Sequence, residues 1–253
     1  MRFMSGQARI IALAGKGGVG KTSVSAAIVR LLTQQRPDAR ILAIDADPAV
    51  GLATALGVDV RETLDDIRKS MASSATKTQT DELLSEARFR LFDAMCETRG
   101  FAFLAIGRPE TAGCYCTVNS YLKEVISLLA GDFDYVVIDG EAGIEQINRR
   151  VMEKVTHLLL VTDQSRKGYQ VVGTIKKVAD ELVMYEKCGV IVNRATRPDL
   201  AADPEISGAP VLAVIGADAQ QAKNDVQGRS VFDLPEDSNV IKGAREALSK
   251  INL

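Results

Sequence analysis

The run Gly15-Lys16-Gly17-Gly18-Val19-Gly20-Lys21-Thr22 constrains this chain more than any other stretch, because the spacing G-x-x-x-x-G-K-[ST] serves one physical purpose. An apolar run at 9–14 precedes it and a helical pattern at 21–34 follows. Strand, glycine-rich loop and helix thus come in the order that a phosphate cradle requires. Glycines let successive backbone N–H groups wrap an anion, and the helix N-terminus adds partial positive charge. Lys21 is expected to neutralise the β- and γ-phosphates of a nucleotide, and Thr22 to ligate Mg2+. The nucleotide-binding set read from this stretch is Gly15, Lys16, Gly17, Gly18, Val19, Gly20, Lys21, Thr22 and Ser23.

Short apolar runs at 41–45, 101–106, 135–139, 158–162, 190–193 and 211–215 alternate with helical patterns at 118–129, 168–182 and 239–251. Such runs suit strands covered on both faces. Their alternation with helices predicts an α/β, P-loop NTPase fold: one domain over residues 1–253, with a mostly parallel, twisted sheet of about seven or eight strands and helices on both faces. The polar, helix-prone stretch at 63–97, Ser/Thr-rich in its middle, reads as a helical insertion. With 253 residues, 46% of them hydrophobic, the chain can bury a full core. Acidic residues number 33 and basic ones 31, so no overall field draws it to nucleic acid. Seven Phe, five Tyr and no Trp offer few platforms for stacking bases, and no nucleic-acid partner is expected. No secretory leader and no uninterrupted apolar run of roughly 20 residues occurs, so a cytoplasmic protein without a membrane partner is expected.

Two strands end in acids. Asp45-Ala46-Asp47-Pro48 closes the second predicted strand, where a bare D-x-D is as compatible with capping as with chemistry. Tyr135-Val136-Val137-Ile138-Asp139 is an apolar strand that places Asp139 to join Thr22 around Mg2+. Lys16 is surplus to a simple cradle. With it the loop reads K-G-G-x-G-K-[ST], and the chain resembles the deviant Walker A family that includes MinD, ParA, arsenite-pump ATPases and nitrogenase iron protein. That resemblance implies hydrolysis of ATP to ADP and phosphate by a homodimer, with Lys16 reaching across the interface as charge develops in phosphoryl transfer. It also implies that Asp47, rather than Asp45, orients the attacking water and holds Mg2+ through water, which makes Lys16, Lys21 and Asp47 the catalytic set. Gly140-Glu141-Ala142-Gly143-Ile144-Glu145 resembles the switch II segment of MinD-like proteins, with Glu141 in place of a proline. Asn193-Arg194 resembles the family's adenine-reading position, and Leu234-Pro235-Glu236-Asp237 its late adenine-contacting loop.

Of the four cysteines, Cys114 and Cys116 stand at i and i+2, a spacing that allows a two-point chelate. Two thiolates do not complete a tetrahedral or square-planar site, but a symmetric dimer supplies two more. Packing as small hydrophobes is the other reading of such thiols, and the default one for the unpaired Cys96 and Cys188. His157, the one histidine, opens an apolar strand and reads as structural. Gly107-Arg108-Pro109-Glu110, Gly113-Cys114-Tyr115-Cys116-Thr117-Val118-Asn119 and Asp139-Gly140-Glu141-Ala142-Gly143-Ile144-Glu145 together resemble the CooC ATPases. Those serve nickel insertion into carbon monoxide dehydrogenase, and the closely similar AcsF proteins serve acetyl-CoA synthase. The resemblance implies Ni2+ (or Zn2+ as purified) shared across the dimer by Cys114 and Cys116, and one of those nickel enzymes as client. Two other classes stay open. One is an ATP-gated iron–sulfur electron carrier, although the position matching its cluster cysteine is Gln146. The other is a MinD- or ParA-like positioning ATPase, although the 239–253 end is short and weakly basic for a membrane helix.

Overall fold

In β1 (Arg9–Gly15) alternate side chains serve opposite faces of a sheet: Ile11 and Leu13 join one buried cluster, Ala12 and Ala14 the other. The computed structural model describes residues 8–74, 89–107, 126–127, 129–140, 154–197 and 204–253. The remaining strands are β2 (Ile41–Asp45), β3 (Cys96–Glu97), β4 (Ala102–Ala105), β5 (Tyr135–Asp139), β6 (His157–Thr162), β7 (Lys187–Ala195), β8 (Glu205–Ile206) and β9 (Ala209–Gly216). They form one sheet in the order β3-β4-β2-β5-β1-β6-β7-β9-β8. From β4 to β9 every pairing is parallel, and only β3 and β8, at the two edges, run antiparallel to their neighbours.

The helices are α1 (Lys21–Gln35), α2 (Gly51–Leu56), α3 (Leu64–Ser74), α4 (Arg166–Leu182), α5 (Ala219–Gln227) and α6 (Asn239–Lys250). One face of the sheet is covered by α1, α2 and α6, through residues such as Val24, Ile28, Leu52, Ile241 and Leu248. The other is covered by α3 and α4, through Ile67, Val172 and Ala179. The apolar side of the C-terminal helix is therefore spent on the core. Among the described residues no helix is long and apolar enough to cross a membrane.

Each expected strand is present, and the sheet extends beyond them by β3 and β8, two-residue strands too short to carry a sequence pattern. The described ends of the 63–97 stretch are packed into the core of the fold. Leu64, Ile67, Leu91 and Ala94 are buried in the core, and β3 closes one sheet edge. The helical pattern expected at 118–129 falls largely outside the described residues. Neither α2 nor α5 was legible: α2 has six residues, and α5 reads Ala-Gln-Gln-Ala-Lys-Asn-Asp-Val-Gln with no apolar stripe.

What holds α5 is Asp218. Its Oδ1 accepts from the N–H groups of Gln220 (3.1 Å) and Gln221 (3.0 Å), an N-cap. Its Oδ2 accepts from Ser238 Oγ (2.5 Å) and the Val240 N–H (3.1 Å), which fastens the start of α6 as well. Asp218→Ala is expected to cost about 1–2 kcal/mol, seen as a fall in Tm of about 3–6 °C. An unchanged melting curve would refute this double-cap role.

Candidate functional site

Lys21, Thr22, Asp45, Asp47 and Asp139 come together at the carboxyl ends of the parallel strands, where open α/β sheets build their sites. β1 ends at Gly15, whose φ of 153° and close approach to the Val161 carbonyl leave no room for a Cβ. Gly20, at φ 87°, sits at the N-cap of α1, and a Cβ there would stand 2.5 Å from Asn193 Nδ2. These two glycines let the loop pass close to Val161 of β6 and Asn193 of β7 before the helix starts.

Lys21 is buried, with Nζ 3.2 Å from the Lys16 carbonyl and 3.4 Å from that of Gly15. A cavity of about 580 Å3 opens over the loop, lined by Gly18, Lys21, Thr22, Asp47, Arg194 and Arg229 among others. Its size suits a nucleotide.

Asp45 and Asp139 are register partners on adjacent strands, and both are fully buried. Burial pushes the Asp45 carboxyl up to about 7, with the Asp139 charge adding to the rise. Its two oxygens are taken by the backbone N–H groups of Asp47 (3.1 Å) and Leu52 (2.8 Å), so Asp45 shapes the turn into α2. Asp47 is half-buried and lines the cavity, its Oδ1 accepting from the Ala49 N–H at 2.9 Å. The structure thus separates the two acids of the D-x-D.

Burial likewise raises Asp139, to about 6, against the hydroxyls of Thr22 and Ser25 and the charge of Lys21. Ser25 Oγ donates to Asp139 Oδ1 at 2.8 Å, while Oδ2 is buried without a hydrogen-bond partner among the described residues. An orphaned carboxylate oxygen beside a threonine hydroxyl and a second acid is a hard-oxygen donor set that fits Mg2+.

Lys16 lies elsewhere. Its Nζ is 2.6 Å from Asp163 Oδ2, at the end of β6, and each side chain is about 30% exposed. Burial works against the Asp163 charge, but hydrogen bonds from Lys16 and Ser165 hold its carboxyl below the usual range. Asn193 Nδ2 donates to the Val19 carbonyl (2.8 Å) and Arg194 Nη1 to that of Gly18 (2.8 Å). Leu234, Pro235 and Glu236 lie behind α1, outside the cavity lining. The Leu234 carbonyl accepts from the buried Arg30 at 2.7 Å, the Pro235 carbonyl accepts from the Ser238 N–H, and Glu236 bridges Arg30 and Arg245.

Cys114, Cys116, Glu141 and Gln146 lie outside the described residues, among which no group of three or more His, Cys, Asp or Glu side chains converges. Cys188 is partly buried against the core, and burial pushes its thiol up to about 11. Cys96 Sγ contacts the Asp59 carbonyl at 3.3 Å. His157 is buried at the opposite end of β6 from Asp163, its Nδ1 2.8 Å from Thr156 Oγ1. Sequence reasoning missed Ser25 and Asp163. Ser25 shares a helix face with Thr22, and Asp163 is an acid closing an apolar strand, so each carried a weak signal.

Residues 10–231 match the CobQ/CobB/MinD/ParA nucleotide binding domain family. An uncharacterised ATP-binding protein of Methanocaldococcus jannaschii is 33% identical over 249 residues, 96% of this chain and 98% of that protein. The carbon monoxide dehydrogenase accessory protein CooC of Rhodospirillum rubrum is 27% identical over 248 residues, 88% of this chain and 89% of CooC. Among solved structures, the cell division ATPase MinD of Pyrococcus furiosus superposes with a TM-score of 0.70 at 25% identity, covering 98% of this chain and 99% of MinD.

Proposed function

The chain belongs to the CobQ/CobB/MinD/ParA nucleotide binding domain family of ATP-binding P-loop ATPases, and from that premise we propose that it is an ATP-driven metal-delivery factor of the CooC type. In this reading two copies close on ATP, and their two Cys114/Cys116 pairs jointly hold one nickel ion, the cargo, for a client such as carbon monoxide dehydrogenase or acetyl-CoA synthase. The observation that carries it is the Cys114-Tyr115-Cys116 motif in a chain 27% identical to a carbon monoxide dehydrogenase accessory protein along most of its length. The extra loop lysine, Lys16, supports the dimer.

The residues around the cavity divide the work of phosphoryl transfer. Lys21 and the loop N–H groups bind the phosphates. Thr22 and Asp139, with Asp47 through water, would hold Mg2+, which when bound offsets charge on the β- and γ-phosphate oxygens. Ser25 fixes one oxygen of Asp139 so that the other faces the site. Asp47 orients the attacking water, Asn193 keeps an oxygen for the adenine amine, and Lys16 meets the phosphates of the second copy. Nucleotide and metal, both favouring the closed dimer, tighten each other's binding by the same factor.

The reading is tested by size exclusion with metal analysis of anaerobically prepared protein. ATP with Ni2+ is expected to shift the chain to a dimer carrying one metal per two chains. A monomer under those conditions would sink it.

Lys16 must leave Asp163 before it can serve a second copy. A screened pair of this exposure is worth under about 1 kcal/mol. Asp163→Ala is therefore expected to raise turnover about two- to fivefold at protein concentrations below the dimerisation midpoint, and to leave the rate at saturating protein unchanged. An identical dependence of rate on protein concentration would show that Asp163 does not restrain Lys16.

A further inference from the structure

A phosphate cradle works only if its peptide N–H groups face inward, and each such peptide plane sends a carbonyl outward. Here four of the loop carbonyls are held one by one, two from the cavity floor and two by the end of β7. Lys21 Nζ approaches those of Gly15 and Lys16, Asn193 Nδ2 donates to Val19, and Arg194 Nη1 donates to Gly18. The Gly18 carbonyl shares its plane with the Val19 N–H, so the grip of Arg194 sets the direction of that donor.

Two backbone features serve this grip. In a regular strand successive side chains leave on opposite faces, yet Asn193 and Arg194, which are consecutive, both reach the loop. Arg194 achieves this at φ 55°, a left-handed conformation disfavoured for a residue with a Cβ. The β7–β9 register also shifts between Val192 and Ala195. Strain at a non-glycine residue persists where the surroundings hold it and is concentrated at functional sites. Arg194 lines the cavity over the phosphate loop, with its Nη1 on the Gly18 carbonyl.

We propose that Arg194 is a positioning residue of the phosphate cradle: through the Gly18 carbonyl it pre-orients the Val19 N–H, and it acts on any polyphosphate whatever base is attached. The proposal rests on residues 15–22 being the phosphate loop, and it takes Arg194 away from base reading, leaving that to Asn193.

The test uses Arg194→Gly, which removes the guanidinium and relieves the left-handed strain together, and Arg194→Lys, which keeps a single-point donor. Displacement of a fluorescent ATP analogue by MgATP and by inorganic tripolyphosphate gives both affinities. Arg194→Gly is expected to weaken ATP and tripolyphosphate by the same factor, about five- to tenfold, with a Tm without ligand no lower than that of the wild type. Arg194→Lys should recover part of both affinities. A variant that loses ATP affinity and keeps tripolyphosphate affinity would make Arg194 a base reader and overturn the proposal, as would two unchanged affinities. A wild type that binds neither ligand would instead remove the phosphate-loop reading beneath it.

Discussion

Lys21→Ala is expected to lower ATP hydrolysis by about a hundred- to a thousandfold, with the chain still folded. Lys21 opens α1 at the floor of the cavity, is 7% exposed, and has two loop carbonyls 3.2 and 3.4 Å from its ammonium. A cation held in a low-dielectric pocket stabilises charge building on a phosphoryl group far more than it could in water. Removing it takes away a preorganised charge that no solvated group can replace. Folding should suffer little, since the alanine also removes the cost of burying an ammonium. Phosphate release, followed beside a circular-dichroism melt, checks both halves. A folded variant that keeps a tenth or more of wild-type turnover would show that the charge at this position is not central.

The second large effect concerns the thiols. Cys114→Ser/Cys116→Ser is expected to lose at least about nine-tenths of the bound Ni2+ or Zn2+, because serine hydroxyls do not replace thiolates for these metals. In a symmetric site each single substitution removes two of four ligands, so either serine alone should lose most of the metal too. MgATP turnover in the absence of Ni2+ and Zn2+ should stay within about threefold of wild type, since the phosphate chemistry is carried by other residues. Metal analysis of anaerobically loaded protein is the readout. Full metal content in the double variant would end the delivery reading and leave the ATPase assignment intact.

How much of this could be read along the chain depends on how far apart the interacting residues are. The phosphate loop is local: a strand, six loop residues and a helix start follow one another, so residue types and spacing alone define it. The acids of the second strand were harder. Sequence placed both Asp45 and Asp47 at a strand end, but only the fold shows Asp45 consumed by two backbone N–H groups and Asp47 left at the cavity. The late segment at 234–236 kept its loop character but lies behind α1, because the buried Arg30 recruits the Leu234 carbonyl and Glu236. Nothing in a segment of that composition announces an arginine 204 positions before Leu234.

From residue order alone came the P-loop, the alternation of strands and helices, the family resemblance and the i, i+2 spacing of Cys114 and Cys116, since each is written in contiguous residues or in a period. Only the tertiary structure decided which groups meet at the loop. Ser25 and Asp139, 114 positions apart, share a hydrogen bond. Lys16 and Asp163 are 147 apart, and Asn193 and Val19 are 174 apart. Strand order makes these meetings: β1 lies between β5 and β6, with β7 one strand further, so the chain ends that leave those strands converge on one edge. A period of two or of 3.6 residues reports which face of an element is buried, but it carries no record of which strand lies beside which.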